Sequence, residues 1–224
     1  MRWPVARIGY FSVKERLEIL SQKKLLLLPE GALWWEPHKI LVVSDVHMGK
    51  ATHFRQNGIP VPWQEEFKNL KKLSFLLKTY QVQKLIFLGD LFHSHFSYAT
   101  DAFAQWRRQW KAVEMVLVQG NHDLLSPESY ARMALSVVPS ITQNGVHLSH
   151  FPEEGDPASG ELVVAGHLHP GLRVGRRHYP CFWFSGNRLI APAFGSFTGF
   201  FSVKPGKGDR VVVSYNQQLW LLAF

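Results

Sequence analysis

The chain has 224 residues, 46% of them apolar and 19% charged, which is enough to bury one substantial core without covalent staples. Its one cysteine, Cys181, excludes an intrachain disulfide and fits a reducing compartment. Lys and Arg number 25 against 17 Asp and Glu, a net charge of +8, which favours polyanionic partners and disfavours cationic ones.

The longest aliphatic run, "LLLL" at 25–28, stops at Pro29, far short of the roughly 20 residues a membrane span requires. The first 20 residues are broken by charges and lack the apolar stretch of a signal peptide. The expectation is one cytoplasmic domain over 1–224, without a membrane partner. Ile40 to Ser44 reads as a buried strand. Trp63 to Tyr80 reads as a helix, since Phe67, Leu70, Leu73, Leu77 and Tyr80 recur every three or four residues. "KLIFLGD" (84–90) is a second strand, Ala102 to Lys111 a short helix, and "MVLVQGNHD" (115–123) a third strand. This βαβαβ order implies parallel strands.

The texture changes beyond about residue 140. "FPEEGDPASGE" (151–161) reads as a surface loop. "GVHLSH", "ELVVAGH", "CFWFSGNRLIAPAF", "RVVVSY" and "QLWLLAF" are short β-like pieces. "SGN" at 185–187 marks a hairpin, as does "KPGKGD" at 204–209. An antiparallel second sheet stacked on the first, with helices outside, would bury both. Cys181, among aromatics, reads as a small buried hydrophobe.

The strand ends carry the chemistry. Asp45 and His47 end the first strand in "SDVH". A strand running out into a polar loop would explain that ending alone. But "GDLFH" (89–93), "GNHD" (120–123), "LSHF" (148–151) and "AGHLH" (165–169) repeat it. In open α/β sheets the carboxyl ends of strands line the ligand crevice. Glycines 89, 120 and 166 let the backbone turn just before an inward side chain. Carboxylates, imidazoles and one amide, with no thiolate, suit Mn²⁺, Fe or Zn²⁺. The candidate ligands are too many for one ion. Two ions about 3.5–4 Å apart need a bridging carboxylate between them.

The ordered set Asp45-x-His47, Gly89-Asp90-x-x-His93, Gly120-Asn121-His122-Asp123, His150 and Gly166-His167-x-His169 resembles the calcineurin-like metallophosphoesterases over about 40–170. "LLLLPEGALWWEPHKILVVSDVHMGKATHFRQNGIPVP" and "YPCFWFSGNRLIAPAFGSFTGF" are similar to the DNA-ligase-associated, PdeM-like group. The resemblance implies an α/β fold, a four-layer α/β/β/α sandwich of two stacked mixed sheets flanked by helices. It implies that Asp45, His47 and His169 hold one ion, that Asn121, His150 and His167 hold the other, and that Asp90 bridges. Mn²⁺ is the first choice of metal, with Fe or Zn²⁺ as alternatives.

His147 and His150 compete for one position. In a strand they face opposite sides, and His150 is preferred because it lies nearer the strand end. His93 is expected beside the site, bonded to a ligand or the substrate. The resemblance makes His122 the group that protonates the leaving oxygen, with Asp123 orienting it. His53 and Arg55 lie near enough to the first motif to touch substrate. His38, His95 and His178 have no partner pattern.

The implied reaction is attack on phosphorus by water activated between two cations. The implied substrate is single-stranded or unpaired DNA, cut by an endonuclease of DNA repair, with a ligase and a helicase as functional partners and an oligomer left open. The basic cluster Arg173, Arg176 and Arg177 is the expected DNA contact. The alternatives are a phosphoesterase for a small molecule, nucleotide or lipid precursor, and a non-enzymatic scaffold. The intact ligand set argues against a scaffold.

Overall fold

The structure, a computed structural model, describes residues 22–62, 64–93, 97–153, 160–196 and 198–224. His95 and most of the expected 151–161 loop lie outside them.

Six strands form the first sheet: β1 (Leu25–Leu28), β2 (Ala32–Trp35), β3 (Ile40–Ser44), β4 (Lys84–Leu88), β5 (Glu114–Val118) and β6 (Ser136–Val138), in that spatial order. The pairs from β3 to β6 are parallel, and β1 and β2 add an antiparallel edge. Four helices fill the connections: α1 (Lys50–Gln56) and α2 (Gln64–Thr79) after β3, α3 (Ser97–Arg107) after β4, and α4 (Pro127–Arg132) after β5. The expected helix at 102–111 is displaced. It begins five residues earlier, and its last turn, Arg108–Trp110, tightens to 3-10.

The second sheet runs β13 (Phe201–Ser202), β10 (Pro170–Val174), β11 (Arg177–Ser185), β12 (Arg188–Ile190), β9 (Leu162–Ala165), β8 (Val146–Ser149), β7 (Ile141–Gln143). β14 (Arg210–Tyr215) lies on β11, and β15 (Gln218–Ala223) lies on β14. This sheet is mixed, where its residues alone had suggested an antiparallel one. β9 pairs parallel with both β8 and β12. Parallel neighbours need a crossover, and the β10–β11 hairpin supplies the one between β9 and β12. The "KPGKGD" loop is not a hairpin either. It joins β13, which pairs with β10, to β14, which pairs with β11 and β15.

The pleat divides the core. Leu41, Val43, Phe87 and Leu117 face the helices and meet Leu70, Leu73, Leu76, Phe103 and Trp106. Val42, Ile86, Leu88 and Val116 face the other way, onto Leu148, Val164, Phe182 and Val212 of the second sheet. Because β3 to β5 are covered on both faces, they read as continuous apolar runs. A third cluster, including Leu172, Cys181, Val203 and Val211, lines the second sheet's outer face. The result is an α/β fold of two mixed sheets flanked by helices.

A short crossing strap joins the sheets near the site. Ser44 bridges Ala193, and the Phe194 and Gly195 N–H groups donate to the carbonyls of Ser44 and Asp45 at 2.8 and 3.1 Å. The buried Asn69 of α2 donates to Val46 O at 3.2 Å and accepts from Ser196 N at 3.3 Å.

Candidate metal centre

Past their last ladder bonds, β3 and β4 stay in step. Asp45 N donates to Gly89 O, His47 N to Asp90 O, Met48 N to Leu91 O and His93 N to Met48 O, at 2.8–3.2 Å. This holds two loops rigidly although their side chains point into one cleft. Asp45, His47, Asp90, His167 and His169 all have left-handed backbone, with φ of 51°, 47°, 49°, 67° and 51°. Such a conformation costs roughly 1–2 kcal/mol per non-glycine residue. It persists where the surrounding bonds over-determine it, and it clusters at functional sites.

The glycines before these residues serve close approach. At Gly89 a Cβ would lie 2.0 Å from His150 Nδ1, at Gly120 it would overlap Asp90 Oδ1, and at Gly166 it would lie 2.6 Å from Asp45 Oδ2. Of these three only Gly89 also has positive φ, at 74°.

Two groups of donor atoms result, each within 4.8 Å: Asp45, His47 and His169, and Asp90, His150 and His167. Sheet one supplies Asp45, His47, Asp90 and Asn121. Sheet two supplies His150 and the two histidines of the β9–β10 turn. Asp45, His47, Asp90 and His150 are buried, while His167 and His169 form a half-buried rim. Asp90 lies between the groups. Its Oδ2 is 3.8 Å from His47 Nε2, and its Oδ1 is 3.6 Å from His150 Nε2.

The bonding around these atoms fits cations. His150 Nδ1 donates to Leu88 O at 2.9 Å, which fixes the tautomer and leaves the Nε2 lone pair free. That lone pair faces Asn121 Oδ1 and His167 Nδ1, each at 3.1 Å. His47 Nε2 faces His169 Nε2 at 3.3 Å. Asp45 Oδ2 accepts from His167 N at 3.0 Å, but the buried Oδ1 has no hydrogen bond, although His169 Nε2 approaches to 3.1 Å. Carboxylate and amide oxygens and imidazole nitrogens converging this closely suit two cations. Burial, with the nearby Lys50 and imidazoles, pushes the His47 pKa down to about 2. The ring is therefore neutral and ready to act as a ligand.

His147 lies elsewhere, its Nδ1 2.7 Å from Thr142 Oγ1. His93 stands beside the site, its ring centroid 5.5 Å from that of His47 and 5.6 Å from that of His122. Desolvation, with Lys50 and two further imidazoles, lowers its pKa to about 4. His53 adjoins His93 at 5.2 Å. The exposed His122 lies 5.6 Å from His47, ring to ring.

Asp123 departs from its expected role of orienting His122. It is fully buried and accepts from backbone N–H groups of Asp90 (2.7 Å), Gly120 (2.9 Å) and Leu91 (2.9 Å). It clamps the loops after β4 and β5 together, so it is a positioning residue for Asp90. Arg55 likewise turns to its own loop, donating to Thr52 Oγ1 at 2.6 Å and Val61 O at 3.3 Å. Arg173, Arg176 and Arg177 are exposed on the β10–β11 hairpin.

The sequence reading missed Lys50. It opens α1 three residues after His47, half-buried, and desolvation lowers its pKa while Asp45 and Asp90 act to raise it. A lysine following "DVHMG" was the available signal.

Two mixed sheets whose strand ends gather two histidine–carboxylate groups around one shared aspartate define a metal-dependent hydrolase of phosphoric esters. The chain belongs to the calcineurin-like phosphoesterase family, whose profile matches residues 38–167. Among solved structures it is similar to a nuclease MPE from Pseudomonas putida, at 30% identity and a TM-score of 0.76, covering 88% of this chain and 94% of that one. A protein of unknown function from Aquifex aeolicus matches at 25% identity and TM-score 0.41, over 58% of this chain and 78% of the other. The phosphoesterase Yfce of E. coli matches at 14% identity and TM-score 0.42, over 82% and 98%. No curated protein matches.

Proposed function

We propose that the chain is a two-metal phosphodiesterase that cuts single-stranded or unpaired DNA internally. The observation carrying the chemistry is Asp90, whose two oxygens face two separate donor groups. The likeness to the Pseudomonas putida nuclease supports a nucleic acid as the substrate, as does the +8 charge, and the resemblance to the DNA-ligase-associated group makes that nucleic acid DNA. The PdeM-like resemblance adds a role in cytoplasmic DNA repair beside a ligase and a helicase, with 1–224 working as one domain.

Asp45, His47 and His169 would hold one ion, Asn121, His150 and His167 the other, and Asp90 would be shared. Carboxylate and amide oxygens admit Mn²⁺, the first choice, and the imidazoles equally admit Fe or Zn²⁺. Ions bound there would supply an activated water and neutralise phosphoryl oxygens. His122, exposed at the rim, protonates the leaving oxygen. His93 bonds the phosphate from the side, and Lys50 adds positive charge at the cleft floor. Cys181 stays out of the chemistry, since burial pushes its thiol up to about 12. Arg173, Arg176 and Arg177 hold the flanking strand. An unpaired backbone bends to reach both ions more readily than a stiff duplex does.

The test is to incubate Mn²⁺-loaded protein with circular single-stranded DNA, duplex DNA and a nucleotide panel. Nicking and linearisation of the circle are expected. Survival of the circle beside fast turnover of a nucleotide would replace DNA with a small ester.

A further inference from the structure

Phe182 and Phe184 pack the inner face of the second sheet against the first. Strand side chains alternate, so Pro180 and His178 stand on that same face of β11, and Gly171 and Arg173 stand opposite them on β10. The β10–β11 hairpin carries the face outward until His178 and Arg173 are exposed.

Phe200 lies on this outer part. A side chain at Gly171 would meet Phe200 Cδ1 at 2.8 Å, so the glycine makes a bed for the ring. Phe200 stacks on His178, centroids 6.0 Å apart and planes at 11°, yet it remains 47% exposed. The next residue ties it to the metal centre, because Phe201 N donates to His169 O at 3.1 Å.

The chain segment that carries the rings has charge of one sign. Residues 162 to 208 contain Arg173, Arg176, Arg177, Arg188, Lys204 and Lys207, and no Asp or Glu. All but Arg188 are exposed. A hairpin tip five residues past His169 lies about 16 Å along the strand. Aromatic faces open to solvent, set among cations, match the chemistry of an unpaired polynucleotide. Each base offers a π-face and each linkage an anion.

We infer that Phe200 and His178 form a stacking platform for a base of single-stranded DNA, one step from the metal centre, with Arg173, Arg176 and Arg177 on the phosphates of the same strand. The inference rests on the DNA reading above and assigns its specificity for unpaired strands to this platform.

Binding and cleavage test the two separately. Fluorescence anisotropy of labelled oligothymidylate is measured on the metal-loaded full chain, beside nicking of circular single-stranded DNA. Phe200→Leu keeps apolar bulk over Gly171 but has no π-face, and it should raise Kd about 5- to 100-fold. Phe200→Tyr should bind like the parent. Equal binding by the parent and Phe200→Leu overturns the platform, as does a Phe200→Tyr as weak as Phe200→Leu. If binding follows the expected order while the circle survives, the platform stands and the nuclease reading fails. A parent that binds no oligonucleotide overturns both.

Discussion

Asp90 is buried with imidazoles on two sides, its Oδ1 accepts from His122 N at 2.9 Å, and cations beside its oxygens would offset the remaining cost of burying the charge. Asp90→Asn should therefore deplete both ions and abolish most turnover, whereas Asp45→Asn should chiefly weaken one. Metal analysis of the two purified variants checks this, and two retained ions with normal turnover in Asp90→Asn would contradict the bridge. His122 is different, being exposed and in neither donor group. His122→Ala should keep its metal and lose about 10²–10⁴ in rate on alkyl leaving groups, the usual range for a general acid. Activated aryl esters should suffer less. Equal losses on both would mean that the ring binds phosphate and does not donate a proton. These residues were visible in the sequence because each ends an apolar run. Asp123 was visible but misjudged, since adjacency to His122 says nothing about where its carboxylate points.

Between elements, a half-buried cation joins Asn69 in holding α2 to the site. Lys72 donates to Phe194 O at 2.7 Å and Glu30 O at 3.1 Å, and it sits 3.6 Å over the Phe194 ring. Burial lowers its pKa from 10.5 to about 8, against the pull of Glu30. Between these values only the unfolded chain holds the proton, so stability rises with pH across that window and the gain is absent below it. Lys72→Met removes this slope. Urea unfolding at about pH 7 and about pH 10 should show the parent gaining on the variant by up to about 1 kcal/mol per pH unit. Parallel pH curves would contradict the shift. The sequence periodicity located α2 well, since Leu70, Leu73 and Leu77 face one core. It did not reveal β1 and β2, because "LLLL" and "ALWW" are buried on both faces and show no alternation.

At the scale of the molecule, charge should govern DNA affinity. On single strands each phosphate contact contributes about 0.7 unit to the salt dependence of binding, so two contacts contribute about 1.4. Reversing Arg173 and Arg177 to Glu should weaken binding to all single-stranded sequences alike and lower the log–log salt slope by at least about 1.4. A slope equal to the parent's would remove these arginines from the interface. Among the described residues, no helix is long and apolar enough to cross a membrane.

The sequence alone determined which atoms were available. Apolar runs ending in Asp, Asn and His specify local structure and donor chemistry, and both are properties of short segments. Only the tertiary structure decided how those atoms combine. His150 reaches Asn121 across 29 residues, and His167 N reaches Asp45 across 122. Their meeting depends on two sheets stacking with their carboxyl ends at one edge. The same holds for Phe200 on His178, and for Asp123 turned to the backbone. Side-chain direction at left-handed positions follows from long-range ladder bonds, and no local pattern in the chain encodes those.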